Sequence, residues 1–167
     1  MQAVSVEGAS EEDFVVQTGR LAESTVRSDM VTTFTRTLTT KGQGDANDIT
    51  ALVTDALAAS RQTVGIVTVF VVGSTAGVTT LEFEPGVIAD LDRAFEAVAP
   101  RSADYEHHRR WGDDNGSSHV RAALLGPSVT VPFVDGRLML GTWQQLALIE
   151  LDTRGRQREI VIQVVGE

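Results

Sequence analysis

Apolar and polar residues alternate through TTFTRTLTT (32–40), which predicts a strand, and KGQGD (41–45) ends it. In NDITALVTDALAAS the spacing of Ile49, Leu52, Val53, Ala56 and Leu57 is helical, with Asn47 or Asp48 available as N-cap. The apolar run TVGIVTVFVV (63–72) reads as a buried strand, and GVTTLEFE (77–84) as a second strand after a small-residue turn. Pro85 opens a helix whose face is Val87, Ile88, Leu91, Phe95 and Val98, and Pro100 stops it. Beyond the polar segment 104–120, SSHVRAALLG suggests a short helix with His119 near its start. SVTVPFV, RLMLGTWQQLALIELD and REIVIQVVGE read as strands, and Asp135-Gly136 marks a hairpin turn between the first two. The expectation is an α+β domain: a largely antiparallel β-sheet packed with two main helices, without internal repeats.

The first 29 residues break this patterning. They hold six acids (Glu7, Glu11, Glu12, Asp13, Glu23, Asp29) against two arginines, a net −4, with few apolar residues. Such a segment buries little surface, so 1–29 is expected to be an acidic, flexible arm and 30–167 the folded domain. An ordered strand near Asp13–Gln17 is the alternative, and Met30 is a possible alternative start. The whole chain has 167 residues, 42% of them hydrophobic, enough for one compact domain.

Charge narrows the partners. Fourteen Lys plus Arg stand against 23 Asp plus Glu, a formal −9, which disfavours nonspecific nucleic-acid binding and anionic membrane surfaces. A local basic pocket for a small anion remains compatible with that balance. With no cysteine, disulfides, thiolate metal sites and thiol nucleophiles are all excluded. The longest apolar run is about half the roughly 20 residues of a membrane helix, and no secretory signal is visible. The expectation is a soluble, cytoplasmic protein.

Candidate chemistry collects in DYEHHRRWGDDNGSSHV (104–120), which holds all three histidines. His107 and His108 are adjacent and so poorly placed to share one metal; either with His119, twelve positions after His107, is better. Asp113 or Asp114 could complete such a site or orient an imidazole, giving an open site able to polarise a substrate or water. The same segment also reads as a solvated loop, with Trp111 a packing anchor and the acids offsetting Arg109 and Arg110. GSTAG (73–77) offers Ser74, Thr75 and backbone N–H groups to an anion, or is simply a tight turn. GTWQ interrupts the alternation of 136–152, either as a β-bulge with Trp143 in the core or as a pocket lined by Trp143 and Gln144. Arg137, after the turn, could contact phosphate or face solvent. No G-x-S-x-G elbow is present, so Ser117 and Ser118 read as ordinary loop residues.

In order, several stretches resemble the YjbQ family, also called the secondary thiamine-phosphate synthase family. They are Thr40-Lys41-Gly42, Asp48-Ile49-Thr50, GIVTVFV (65–71), Ser74-Thr75-Ala76, Glu82, Tyr105 with His107, Asp113-Asp114 and His119-Val120-Arg121-Ala122. LLGPS (124–128), GRLMLGTWQ (136–144), Glu150 and the terminal VVGE complete the series, which spans residues 31–167. The resemblance implies a single α+β domain that forms homotrimers, a histidine-lined pocket holding a divalent metal (zinc or magnesium), and a secondary thiamine-phosphate synthase activity. That reaction joins a pyrimidine diphosphate to a thiazole phosphate. Carried over by position, it implies His107 and His119 as metal ligands, with His107, His119, Asp114 and Glu82 as catalytic residues. Ser74, Thr75, Lys41, Arg137, Trp143 and Gln144 would hold the small phosphorylated substrate. The sequence departs from the family pattern at Gly73, where the family commonly has a histidine; His108 is the possible replacement ligand. A metal-dependent hydrolase and a non-catalytic trimeric metal- or ligand-binding protein are the alternative readings.

Overall fold

Strand pairing in the computed structural model, which describes residues 24–28 and 30–167, is antiparallel throughout. Ser24–Arg27 form β1 and pair with β2 (Val31–Thr39), so the last part of the expected arm is a strand. The rest of that arm, including the alternative strand at Asp13–Gln17, lies outside the described residues. After β3 (Ala46–Asp48) come α1 (Thr50–Ser60), β4 (Val64–Val72), β5 (Ala76–Leu81) and α2 (Pro85–Val98). Then follow α3 (Glu106–Trp111), α4 (Gly116–Leu125), β6 (Ser128–Val134), β7 (Arg137–Leu138), β8 (Gln145–Glu150) and β9 (Gln157–Gly166).

Two sheets form instead of one. The larger runs β1-β2-β9-β4-β6-β7 and the smaller β3-β8-β5. The reason lies in 137–150, which the alternation predicts as one interrupted strand. Asp135 and Gly136 both take positive φ, closing the expected hairpin between β6 and β7. The chain then leaves the sheet: Gln144 N–H closes a turn on the Gly141 carbonyl (3.0 Å) and Gln144 Nε2 donates to Thr80 Oγ1 of β5 (2.9 Å). GTWQ is therefore a crossing between sheets, not a bulge, and Trp143 is 71% exposed, not in the core.

Both faces of β8 are buried. Leu146 and Leu148 join Val53 and Leu57 of α1 and the inner residues of β4 and β9 in one core. Ala147 and Ile149 face the other way, into a second cluster with Phe95 of α2 and Ala122 of α4. The order of layers is thus large sheet, then α1 with the small sheet, then α2 and α4. Among the described residues, only the inner face of the large sheet is covered. Along β4, Val67, Val69 and Val71 are buried whereas Ile66 and Phe70 are 44% and 40% exposed, so this strand is half-buried, not buried as its apolar run suggests.

Two helix starts differ in mechanism. Glu84 caps α2, its carboxylate accepting from the Gly86 and Val87 N–H groups just before Pro85's first turn is complete. At α1 the N-cap is Ile49, while Asp48 accepts from Thr50 N–H (2.9 Å) and Asn47 and Asp48 themselves lie in β3. Segment 104–120 is not a loop but α3, a short turn and the start of α4. Arg121 of α4 is fully buried and ties it to α2, donating from Nε to the Ala99 carbonyl (2.8 Å) and from Nη2 to Glu96 Oε2 (2.6 Å). The Arg121 hydrogen bond, with the Arg101 N–H, holds the Glu96 carboxyl below its usual range.

Candidate functional site

α4 positions His119. Its first residue must be glycine: a Cβ on Gly116 would lie 2.4 Å from Tyr105 Cβ, so the helix starts hard against the residue that precedes α3. The ring of His107 on α3 meets that of His119, with centroids 4.5 Å apart. His119 Nδ1 lies 3.1 Å from the Ser74 carbonyl. A carbonyl only accepts, so Nδ1 carries a proton, and Nε2 is left without a protein partner among the described residues. His107 Nδ1 sits 3.0 Å from Asp113 Oδ1, a close approach that is not aligned as a hydrogen bond.

Beneath this pair runs a buried polar network. Glu150, fully buried, accepts from Thr40 Oγ1 (2.7 Å), from Arg158 Nε (2.7 Å) and from the N–H groups of Leu151 and Asp152 (3.0 and 2.8 Å). Arg158 Nη2 also reaches Thr75 Oγ1 (2.8 Å), and Thr75 in turn donates to Asp152 Oδ2 (2.9 Å). Asp152 takes a further bond from Arg156 Nε (2.9 Å) and one from Asn115 Nδ2 (3.4 Å). Burial pushes the Asp152 carboxyl up, but the bonds from Arg156, Arg154 N–H and Thr75 outweigh it and the net shift is downward. Above the network opens a cleft of about 350 Å³ lined by Gly73–Thr75, Asp113, Asn115, His119, Asp152 and Arg156–Arg158.

The sequence profile of the UPF0047 YjbQ-like proteins matches residues 34–167. The chain belongs to the YjbQ family. It is 39% identical over 120 residues to a UPF0047 protein of Methanothermobacter thermautotrophicus, covering 72% of this chain and 82% of that one. With YjbQ of Salmonella typhimurium it shares 40% identity over 84 residues, half of this chain and 60% of the relative. Among solved structures, a YbjQ-like protein of unknown function from Sulfolobus solfataricus superposes with a TM-score of 0.74 at 29% identity, covering 82% of this chain and 99% of its own. A YjbQ/UPF0047 protein of Clostridium acetobutylicum gives 0.69 at 31% identity, covering 78% and 99%.

Within this YjbQ domain the expected site residues divide. His119, Ser74, Thr75 and Asp113 line the cleft, and the ring of His107 lies against that of His119 at a tilt of 39°. His108 does not join them: its Nε2 accepts from Gly116 N–H (3.0 Å) and its ring meets Tyr105. Glu82 and Asp114 are exposed and, like Lys41, Arg137, Trp143 and Gln144, are not among the cleft-lining residues. Arg109 turns to Asp104 and Glu106 on the exposed side of α3. Ser117 and Ser118 are buried on α4 and not loop residues.

The residues do not fit the metal that the resemblance implies. Among the described residues no three His, Asp or Glu side chains group so as to hold an ion. Gly73 stands where the family histidine is expected, and a Cβ there would lie 2.8 Å from Arg158 Nη1, so a guanidinium fills that space. Arg156, Arg158, Asp152 and Asn115 were not anticipated. A signal existed: Arg158 occupies the core-facing register of β9 shared by Ile160, Ile162 and Val164, where a charge demands a buried partner.

Proposed function

We propose that this YjbQ-family protein is a transferase acting on small phosphorylated substrates in the cleft beside His119, with thiamine-phosphate synthase activity of the secondary kind. The observation that carries the reading is the fixed imidazole: Nδ1 is committed to the Ser74 carbonyl, and Nε2 is left to exchange a proton with a substrate. In the reaction the thiazole nitrogen attacks the methylene carbon of the pyrimidine diphosphate. A C–N bond forms, the C–O bond breaks, and pyrophosphate leaves with the electron pair. Protonated His119 would donate to the departing pyrophosphate oxygen, while guanidinium and hydroxyl donors stabilise its charge. Incubating the purified full chain with both substrates should release pyrophosphate in step with thiamine phosphate. Phosphate or pyrophosphate released from the diphosphate alone would point to a hydrolase, and no turnover with either would sink the catalytic reading.

We further propose that the open face of the large sheet is the contact by which the chain forms a homotrimer. Val64, Ile66, Phe70 and Val72 of β4 and Val134 of β6 expose apolar side chains on that face, on either side of the Thr68–Thr130 pair, and exposed apolar groups of this kind mark association sites. Light scattering on a sizing column should give three times the chain mass for the wild type and one for Phe70→Asp. A monomeric wild type, or a trimeric variant, would refute the assignment.

A further inference from the structure

We propose that the cleft floor at Gly73–Thr75 and Arg158 is a metal-independent subsite for a phosphate-type oxyanion. This rests on the cleft being the substrate site, as proposed above, and adds what binds where. The argument is one of donors and acceptors. The cleft-floor carboxylates have their lone pairs engaged: Glu150 by Thr40, Arg158 and two backbone N–H groups, Asp152 by Thr75, Arg156, Asn115 and the Arg154 N–H. A cation entering the cleft would find those oxygens already taken.

Donors, by contrast, are left over. Arg158 commits Nε and Nη2 to Glu150 and Thr75, which locks the plane of the guanidinium; Nη1 has no hydrogen-bond partner among the described residues. That nitrogen lies beside Gly73, whose φ of +141° and lack of a side chain both matter: any Cβ would be strained and would press on Nη1. Glycine thus keeps the guanidinium open to the cleft. The N–H groups of Ser74 and Thr75 and the Ser74 hydroxyl also make no hydrogen bond among the described residues. A held guanidinium edge with backbone N–H groups next to it is a typical way to bind a phosphate oxygen without a metal. Asp113 is the one cleft acid less fully engaged; it is exposed and faces His107 across the rim.

The test titrates inorganic phosphate, and separately pyrophosphate, into the full chain in the presence of EDTA, read by backbone amide NMR and calorimetry. Saturable shifts centred on Ser74 and Thr75 are expected, with affinity unchanged by EDTA. Arg158→Lys keeps the charge but removes Nη1 and should weaken binding about tenfold or more. If that variant fails to fold, the wild-type shift map decides. Shifts confined to other arginines, binding that needs added Mg²⁺ or Zn²⁺, or full-strength binding by folded Arg158→Lys would each overturn the subsite. Anion binding here without thiamine-phosphate formation would leave the subsite standing and remove the transferase reading; turnover without it would do the reverse.

Discussion

Replacing Glu150 by alanine is expected to lower the stability of the folded chain by about 3–5 kcal/mol, the usual cost of removing one partner from a buried ion pair. Glu150 is fully buried and Arg158 is 6% exposed, so the Nε and Nη2 edge that Glu150 engages would lose its carboxylate inside the core, whatever Nη1 meets in the cleft. Thr40 Oγ1 and the Leu151 and Asp152 N–H groups would lose their acceptor at the same time. For a domain of this size the loss should lower Tm by about 10 °C. The double variant Glu150→Leu with Arg158→Met removes both charges and should be distinctly more stable than the single one, because apolar replacement of a whole buried pair is close to neutral. A single variant melting with the wild type would mean that water reaches Glu150 and that the network is not closed. A double variant close to wild-type stability would mean that the pair is kept for the cleft it supports and not for stability.

How much of this was legible from sequence depends on whether a residue's role is local. Periodicity alone located β2, β9, α1 and α2, since each buries one side against the core and the spacing of Phe34, Leu57, Phe95 or Ile160 records it. The split into two sheets was not legible, because the same alternating residues suit either partner sheet and only the Gln144–Thr80 bond shows where the chain crosses. The short strand β3 was hidden for a similar reason: Ala46–Asp48 pairs with Ala147–Ile149, a hundred residues further on. At the site, Ser74, Thr75, Asp113 and His119 stood out through residue type and local composition. Arg156 did not, since it precedes β9 and carries no periodic signal, and Arg158 stood out only through its register with Ile160 and Ile162. The histidines mislead in the opposite sense. Three in one segment suggest one metal, but on α3 and α4 they separate into a His107–His119 ring contact and a His108 engaged by Gly116.

If the chain carries the proposed thiamine-phosphate synthase activity, His119→Ala should reduce its kcat about 10²- to 10⁴-fold, the range for a lost general acid or base, while KM changes little. The expectation follows from where the ring is held. Its Nδ1 bond to the Ser74 carbonyl and its tilted ring contact with His107 fix tautomer and orientation, and neither depends on substrate. His119→Gln retains a donor at a similar reach but cannot relay a proton, so it should be as slow as alanine. His107→Ala leaves the Ser74 bond intact and loosens only the ring plane, so its effect should be far smaller. A folded His119→Ala that kept wild-type kcat would remove the proton-transfer role. A rise in KM with kcat preserved would assign the imidazole to binding instead. Loss of activity in both His119 variants together with a fall in Tm would instead make the ring a strut between α4 and the Ser74 turn, through its bond to the Ser74 carbonyl.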